Sequence, residues 1–327
     1  MSAVVLQQIQ LKMDMIPAVT QPRSLAALII LLIMAGNEQI VPDSNLYYAH
    51  DDKAPDDWQS YQTLRQAGVH VPADERMFET YESCHLVAVL SDSGEEENSL
   101  FQAPIVEKPL HILDIGTGKG TWAIEVADTL PETTVRGVDL FPPPVSWLPP
   151  NCILEVDDIL EDWTWREPFD LIHLRILDCA FTSEETENVY KQCYDHMQPG
   201  GWIEQLEMSS FLECDDESVA DDSILRTWGP RLTKAAEKSG RRFGIMHTMR
   251  DSIAKAGFTD IHVKEYKLPV GPWPRDKRLK EIGSVNFHHW ADGMDGYSMW
   301  LLTRYGDPDE DMGEETTGRT YQGRFNN

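Results

Sequence analysis

The sequence predicts an α/β protein built on a doubly wound, mostly parallel β-sheet. Three observations support this class. Short apolar runs of strand length alternate with amphipathic stretches of helix length between about residues 110 and 210, and this alternation implies parallel strands joined by helical crossovers. A glycine-rich turn separates the first strand of this region from its first helix. The chain has 327 residues and 41% hydrophobic content, which is enough for a buried core of that size.

The predicted elements follow from hydrophobic periodicity. The predicted strands are HILDI (111–115), TTVRGVDL (133–140), NCILEVDD (151–158), FDLIHLRIL (169–177), GWIEQLEMSS (201–210) and DIHVKEYKLPVG (260–271). The predicted helices cover residues 74–90, 120–130, 183–197, 223–240, 248–258, 276–294 and 296–306. Glycines after several of these helices are typical of helix ends.

The chain divides into three predicted regions. Residues 1–71 form an N-terminal arm with an apolar segment at 25–35, and residues 306–327 form a disordered acidic tail with almost no apolar content. The central region, 72–305, is the folded domain, with a helical insert at about 215–250 and lid helices at about 276–305.

The apolar segment 25–35, LAALIILLIMA, has three interpretations. Its eleven residues are too few to span a bilayer as a helix, and a buried or docking helix is favoured. A membrane or signal function is the second interpretation, although the preceding region is long and weakly basic. The third is that the true protein begins near Asn37.

Charge and cysteine content limit the partners. The chain carries 55 Asp and Glu against 28 Lys and Arg, a net charge of −27, which argues against nucleic acid as a partner because phosphate backbones are repelled. The five cysteines form no C-x-x-C pair and suit a reducing compartment. We therefore expect a cytoplasmic protein, and the histidine and cysteine spacings predict no metal site.

The turn after the first strand has the composition of a nucleotide-binding loop. Gly116, Gly118 and Gly120 form G-x-G-x-G ahead of a helix whose first N–H groups are unpaired. Asp139 closes the second strand 19 residues after Gly120, a spacing that suits a carboxylate bound to a ribose diol. The pattern departs from the dinucleotide fingerprint G-x-G-x-x-G, and Asp114 ahead of the glycines favours a ligand with an ammonium group. S-adenosylmethionine carries that group, a ribose and an adenine.

The motifs of this region resemble those of the class I S-adenosylmethionine-dependent methyltransferases, which have a Rossmann-like fold. More narrowly, they resemble the LaeA-like methyltransferases of filamentous fungi. The resemblance extends from about residue 72 to about residue 305. It rests on ILDIGTGKGTWAIEVA, GVDL, CILEVDDILEDWTW, FDLIHLRIL and QPGGWIEQLEM, which occur in the order and spacing of the family.

The resemblance implies cofactor-binding roles along the first two strands. Gly116, Gly118 and Gly120 would line the methionine part of S-adenosylmethionine. Asp114 would orient its amino group, directly or through water. Asp139 would bind the ribose hydroxyls.

The resemblance also implies roles at the ends of the second, third and fourth strands. Leu140 would pack on the adenine, and Asp157 or Asp158 would reach the adenine amino group. His173 and Arg175 would lie beside the transferred methyl group. The alternative for the aspartates is helix N-capping, and for Arg175 it is a salt bridge to the acidic surface.

His173 is the candidate catalytic base, because acceptor substrates meet the cofactor at the end of the fourth strand. A lone histidine at a strand end is also an ordinary structural group. Glu204 or Glu207 on the fifth strand is a second candidate to face the pocket. His288 and His289, in NFHHW, lie on a predicted lid helix where core packing is an equal alternative.

Aromatic residues in the C-terminal half favour an apolar, aromatic small-molecule acceptor, although such residues also build ordinary cores. They are Trp228, Phe243, Trp273, Trp290 and Trp300.

The C-terminal end of the sequence departs from the subgroup pattern. Its members continue past the helix containing LLTR to a final antiparallel strand, and no strand-like run follows Tyr305 except a poor match at GRTYQGRF. Three interpretations follow: the sheet lacks this last strand, which would leave an exposed edge, GRTYQGRF substitutes for it poorly, or the gene model is truncated.

Three functions are compatible with these features. The favoured one is a methyltransferase that acts on a small molecule in fungal secondary metabolite biosynthesis. The alternatives are a LaeA-type nuclear regulator of secondary metabolism and a catalytically degenerate protein that keeps the fold. A nuclear regulator would be expected to carry a basic import stretch, and GRRF at 240–243 is too short for one.

Overall fold

The structure is a computed structural model that describes residues 3–13, 75–92, 100–105, 109–141, 143–214, 219 and 223–306. The predicted apolar segment 25–35 and the predicted tail from residue 307 onward lie outside these residues. The described strands are β1 (Ala3–Met13), β2 (His111–Ile115), β3 (Thr134–Asp139), β4 (Cys152–Val156), β5 (Phe169–Arg175), β6 (Met197–Cys214) and β7 (Ile261–Pro269). The described α-helices are α1 (Glu75–Asp92), α2 (Thr121–Thr129), α3 (Ser183–Asp195), α4 (Ile224–Ser239), α5 (Met249–Ala256) and α6 (Lys277–Tyr305). None of these helices contains an apolar stretch long enough to cross a bilayer.

The strands form one sheet in the order β4-β3-β2-β5-β6-β1-β7. Every described pairing is parallel, and the chain order reverses between β2 and β5. The predicted doubly wound α/β class is therefore confirmed. Ligands of such sheets bind at the carboxyl ends of the strands beside the reversal point, so the loops after β2, β3 and β5 are the expected ligand-binding segments.

The position of the seventh strand corrects the sequence prediction. The predicted gap in the sheet is filled by β1, from the N-terminal arm, and β1 runs parallel to both neighbours. Val4 lies opposite Ile203 of β6 and Ile261 of β7. The edge that we expected to be exposed therefore has a partner.

Helix α6 also differs from the prediction. The sequence predicts a break between two helices at ADGMDG, yet Lys277–Tyr305 is one helix of 29 residues. The two glycines allow close packing on α1: a Cβ at Gly293 would lie 2.4 Å from Thr80 Cγ2, and one at Gly296 would lie 2.4 Å from Met77 Sδ. The glycines thus serve the contact between the helices and do not end either one.

The core side chains lie on both faces of the sheet. Helices α1, α4 and α6 pack on β6 through buried residues that include Val87, Trp228 and Trp290. Helices α3 and α5 pack on β2 and β5, and α2 packs on β2 and β3. The first group encloses space near the carboxyl ends of β5 and β6, next to the glycine loop.

Candidate functional site

A cavity of about 280 Å³ lies at the carboxyl ends of the central strands. Four loops contribute to its wall, at residues 115–119, 138–141, 157–160 and 175–181. Helices α1, α4 and α6 enclose its other end. The cavity therefore joins the predicted cofactor loop to the space under the C-terminal helices.

The glycine loop turns tightly because its glycines adopt positive φ angles. These are +71° at Gly116, +58° at Gly118 and +82° at Gly120, a region that side-chain-bearing residues avoid. The N–H groups of Gly116 and Thr117 both donate to the carbonyl oxygen of Val138, at 2.9 and 3.0 Å. Gly116 and Gly118 line the cavity, while Gly120 lies beneath the loop as the N-cap of α2.

Asp139 lies in the cavity wall at the end of β3. Its Oδ2 accepts a hydrogen bond from the Gly118 N–H at 2.8 Å, and its Oδ1 accepts one from the Phe141 N–H at 3.2 Å. Burial raises the pKa of this carboxyl, and hydrogen bonds from the backbone N–H groups of Gly118, Phe141 and Leu140 oppose that shift. A carboxylate has about four acceptor positions, so capacity remains beside these donors for ribose hydroxyls. The predicted ribose-binding role therefore fits the geometry.

The adenine end of the predicted site is also assembled in the cavity wall. Leu140 is 39% exposed and lines the cavity together with Asp157 and Asp158. The Asp157 Oδ1 accepts from the Asp158 N–H at 2.9 Å, and the Asp158 Oδ1 accepts from the Leu160 N–H at 3.0 Å. Neither aspartate caps an α-helix in the described structure, and each keeps one carboxylate oxygen for a ligand amino group.

Asp114 and His173 lie under the glycine loop and are not among the described residues that line the cavity. The Asp114 Oδ1 accepts from the His173 Nδ1 at 2.8 Å, and its Oδ2 accepts from the Thr117 hydroxyl at 2.7 Å. The His173 ring is 3% exposed and stacks on Trp122 with centroids 3.8 Å apart. Burial lowers the pKa of His173. This placement does not support the predicted catalytic role, because the ring is sealed from the cavity.

Arg175 reaches the cavity at the end of β5 and is held by a histidine on α1. Its Nη1 donates to the His85 Nδ1 at 2.7 Å, and the His85 Nε2 lies 3.0 Å from the Glu125 carboxylate on α2. Since a guanidinium only donates, His85 accepts at Nδ1 and donates at Nε2. The hydrogen bond from His85 lowers the pKa of Glu125. Arg175 is therefore fixed by this relay and makes no described ion pair to the acidic surface.

Helix α1 forms a wall of the cavity through one of its faces. The residues on that face are Phe78, Tyr81, Glu82 and His85, at helical spacing. Glu82 also ties the helix to the glycine loop, because its carboxylate accepts from the Thr121 hydroxyl at 3.2 Å and lies 3.6 Å from Lys119 Nζ. The sequence predicts this helix but not its role, although the spacing of the four residues was visible.

The far end of the cavity is aromatic. Trp228, Phe243 and Trp290 line it as the aromatic content of the sequence suggests, and Tyr297 joins them. The rings of Trp228 and Trp290 meet edge to face, with centroids 5.4 Å apart at 87°. Trp273 is not among the described lining residues. The side chain of Trp300 lies outside the described structure.

Of the remaining residues that the sequence offers as pocket candidates, some lie in the cavity wall and others have structural positions. The Glu204 carboxylate accepts from the N–H groups of Gln102 and Ala103, both at 2.8 Å, and lies outside the described lining. His288 is exposed, whereas His289 is 2% exposed and lines the cavity.

Glu207 is fully buried under the loop that follows β5. Its two oxygens accept from the N–H groups of Leu177 and Asp178 at 3.1 and 3.2 Å. Burial and the Asp178 carboxylate raise the pKa of Glu207 to about 8. In that loop Ile176 and Cys179 have φ angles of +52° and +65°. Glu207 therefore holds a strained segment of the cavity wall and does not face the cavity.

Asp178 is a cavity residue that the sequence analysis missed. Its oxygens accept from the N–H groups of Gly244 and Ile245, both at 3.0 Å, and burial raises its pKa to about 6. It joins the loop after β5 to the short 3₁₀ helix Ile245–His247. The N–H groups that it binds lie at least 66 residues further along the chain, so no local sequence pattern could predict this role.

Comparison with known proteins adds independent information. Residues 76–263 match a protein family described as "Methyltransferase domain". The chain is 36% identical to "Methyltransferase pytC" of Aspergillus terreus over 235 residues, which cover 71% of this chain and 70% of that protein.

Two further relatives carry names that concern regulation and protein methylation. The chain is 32% identical to "Secondary metabolism regulator LAE1" of Cochliobolus heterostrophus, covering 83% of this chain and 86% of that protein. It is 33% identical to "Protein-methionine methyltransferase laeA" of Emericella nidulans, covering 68% of this chain and 59% of that protein.

Proposed function

The chain belongs to the methyltransferase-domain family, and on that premise we propose that it methylates a small-molecule acceptor in fungal secondary metabolism. The methyl donor is S-adenosylmethionine. One observation carries the proposal: the same cavity that begins at the glycine loop and Asp139 ends among Trp228 and Trp290. A donor and an apolar acceptor can therefore meet inside the protein.

The cofactor end of the cavity provides each group that the donor requires. Asp139 binds the two ribose hydroxyls with its free acceptor positions, and Leu140 packs on the adenine. Asp157 or Asp158 accepts from the adenine amino group. The loop at Gly116 and Gly118 leaves room for the methionine part, since a Cβ at Gly118 would meet no atom within 4 Å.

Asp114 and His173 support this loop from below. We assign His173 a positioning role: its ring fixes Asp114, and Asp114 in turn fixes Thr117 in the cavity wall. The two side chains act on the donor through the loop, and not by direct contact.

The acceptor end supplies alignment and a dry environment. When bound, S-adenosylmethionine supplies an electrophilic methyl group on a sulfonium. The protein holds the acceptor in line with that group in a space from which helices α1 and α6 exclude water. Alignment and exclusion of water can supply most of the acceleration of a displacement.

The first test is calorimetric titration of the full chain with S-adenosylmethionine and S-adenosylhomocysteine. We expect binding that falls at least tenfold in Asp139→Ala, because hydrogen bonds from two ribose hydroxyls to a charged group are lost. Asp128→Asn, an exposed carboxylate on α2, is the matched control and should bind normally. Absence of binding by the folded wild-type protein would contradict the proposal.

A second candidate function is regulation of secondary metabolism, favoured by the long match to the regulator LAE1. The short basic segment GRRF at 240–243 does not resemble a nuclear import signal, which must be accessible to its receptor. Its Arg241 lies 3.7 Å from Glu185 and donates a hydrogen bond to the Ala180 carbonyl oxygen. We therefore propose a cytoplasmic enzyme. A fluorescent fusion found in the nucleus, together with loss of many unrelated metabolites on gene deletion, would favour the regulator instead.

A further inference from the structure

His289 carries an unprotonated ring nitrogen in the cavity wall. Its Nδ1 lies 3.0 Å from the carbonyl oxygen of Thr80 on α1. A carbonyl oxygen only accepts, so Nδ1 holds the hydrogen and Nε2 keeps a lone pair. Burial lowers the pKa of His289 to about 4, which keeps the ring neutral at physiological pH. No described residue donates to Nε2.

Polar atoms without partners lie in the wall of the same cavity as this histidine. The Trp228 Nε1, the Trp290 Nε1 and the Ser210 hydroxyl have no hydrogen-bond partner among the described residues. All three residues line the cavity and are at most 4% exposed. Buried donors without partners are rare and point to a ligand or water that the protein normally binds. The aromatic end is therefore built for a molecule with oxygen atoms as well as an apolar body.

The charged side chains of the cavity wall near this end have partners within the protein. Asp178 accepts from two backbone N–H groups, and Arg241 pairs with Glu185. Arg175 is joined through His85 to the Glu125 carboxylate. The remaining wall there is apolar and aromatic, with Met208, Phe243 and Leu301. A charged acceptor would find no free counter-charge among these described residues, so a neutral one fits.

We propose that the acceptor is a neutral, planar aromatic alcohol, such as a phenol or naphthol, and that the His289 Nε2 accepts its hydroxyl proton. This inference rests on the proposed function and names its substrate class. As the oxygen–methyl bond forms, the carbon–sulfur bond breaks and its electron pair stays on sulfur. The hydroxyl proton passes to Nε2, so the positive charge of the sulfonium ends on the imidazolium. The products are an aryl methyl ether and a thioether.

The basicity of His289 selects among alcohols. A weakly basic imidazole removes a proton efficiently only from an acidic hydroxyl, which favours phenols and enols over aliphatic alcohols. A methionine thioether has no proton to lose, so a chain that methylates methionine would not need Nε2. His289 therefore distinguishes a phenol acceptor from the methionine acceptor that one relative's name states.

The test compares His289→Asn with His288→Asn. The amide introduced by His289→Asn can still donate to the Thr80 carbonyl but lacks the second ring nitrogen, and His288 is the exposed neighbour on the same helix. The probes are 2-naphthol, naphthalene and N-acetylmethionine methyl ester. We expect the wild type to methylate 2-naphthol, and His289→Asn to reduce that rate at least 100-fold. His288→Asn should leave it unchanged.

Three controls separate loss of the proton acceptor from misfolding and from loss of acceptor binding. Calorimetry with S-adenosylhomocysteine should give equal affinities for both variants and the wild type, which shows that His289→Asn is folded. A nitronaphthol that is already ionised needs no base, and the sulfonium of the bound donor supplies the positive charge that the protein wall lacks. Its methylation is weaker in the wild type than that of 2-naphthol if the wall disfavours anions, but it should fall far less in His289→Asn. The protein loaded with S-adenosylhomocysteine should bind 2-naphthol more tightly than naphthalene.

The inference is wrong if the loaded protein binds no 2-naphthol. It is also wrong if His289→Asn reduces the methylation rates of 2-naphthol and of the nitronaphthol by the same factor. Methylation of the methionine ester at a rate that His289→Asn does not change would contradict it as well. Failure of S-adenosylhomocysteine to bind the wild type is a different result, which would overturn the proposed function and this inference with it.

Discussion

The three glycines of the nucleotide loop serve different purposes at the residue scale. Each has a positive φ angle, but their surroundings differ. A Cβ at Gly120 would lie 2.5 Å from Leu154 Cδ1, whereas one at Gly118 would meet no protein atom within 4 Å. Gly120 is therefore needed for packing under the loop, and Gly118 for the space above it.

This difference predicts opposite results for two alanine variants. Gly118→Ala should lose about 1–2 kcal/mol of stability through its φ angle, and its affinity for S-adenosylmethionine should fall at least tenfold. Gly120→Ala should lose clearly more stability, because the clash with Leu154 adds about 1–3 kcal/mol. Urea unfolding and calorimetry measure the two effects. Normal binding by Gly118→Ala would show that the methionine part lies elsewhere.

The buried, neutral state of His289 predicts a pH dependence of stability. Its pKa is about 4 in the folded protein against 6.5 as the ordinary value, so the unfolded chain takes up a proton first as the pH falls. The stabilisation is complete above pH 6.5 and is lost as the pH falls towards 4, at a cost of about 3 kcal/mol.

Removal of this group should make the protein less sensitive to acid. Between pH 7 and pH 4.5 the free energy of unfolding should fall less in His289→Asn than in the wild type. His288→Asn should follow the wild type because its ring is exposed. Urea titrations at both pH values measure the difference. Parallel curves for all three proteins would show that folding does not lower the pKa of His289.

At the residue scale the sequence predicts the cofactor end better than the acceptor end. The positions of Gly116, Asp139 and Asp157 follow from strand ends and short spacings. His289 depends on a carbonyl group 209 residues away, and no local pattern contains that information. The same limit explains His173, whose strand-end position indicates a base although its ring lies against Asp114 and Trp122.

At the element scale the contact between α1 and α6 controls the acceptor end. Phe78 and Tyr81 on α1 and His289 on α6 line the cavity from either side. The helices approach closely at Gly293, where a Cβ would lie 2.4 Å from the buried Thr80. Their separation therefore fixes the hydrogen bond that orients His289.

Gly293→Ala should push these helices apart. We expect a net loss of about 1–3 kcal/mol of stability, measured by urea unfolding, and a weaker hold on His289. Gly296→Ala is the comparison, since its Cβ would meet the flexible end of Met77 and alanine favours the helix by about 1 kcal/mol. It should be nearly neutral. Equal stability of Gly293→Ala and the wild type would contradict the close contact.

The same contact explains why a break was predicted within α6. Two glycines within four residues lower helix propensity, and sequence reasoning weighs only that cost. The compensating term is the packing on Thr80 and Met77, which lie on another helix. The sequence thus predicts whether a segment is a helix or a strand for most of the fold, but the continuity of α6 depends on its packing against α1.

At the scale of the whole molecule, β1 completes the sheet from the distant end of the chain. The segment was not predicted as a strand, although Ile9, Leu11 and Met13 alternate with polar residues. Its place between β6 and β7 depends on pairings with residues about 200 and 257 positions away. The parallel, doubly wound class could be predicted because its other strands follow one another in sequence with their crossover helices.

Proline substitution tests this position. Gln8 lies opposite Glu207 of β6 and Glu265 of β7, so its backbone is inside the sheet. Proline there removes a ladder donor and distorts a strand with neighbours on both sides. Gln8→Pro should lower the free energy of unfolding by a few kcal/mol, whereas Gln8→Thr should not. An unchanged Gln8→Pro protein would show that another segment, such as GRTYQGRF, holds this position.

The placement of β1 also has a consequence for protein synthesis. Val4 pairs with Ile261, and a ribosome adds about 5–20 residues each second. The strand therefore exists for roughly 13–50 s before its partner in β7 has been made. Until β6 has been made both edges of β1 lack a partner, and until β7 has been made one edge stays open to chaperones or to the same strand of a neighbouring nascent chain. The sheet therefore cannot close before β7 has been translated, however early β1 is made.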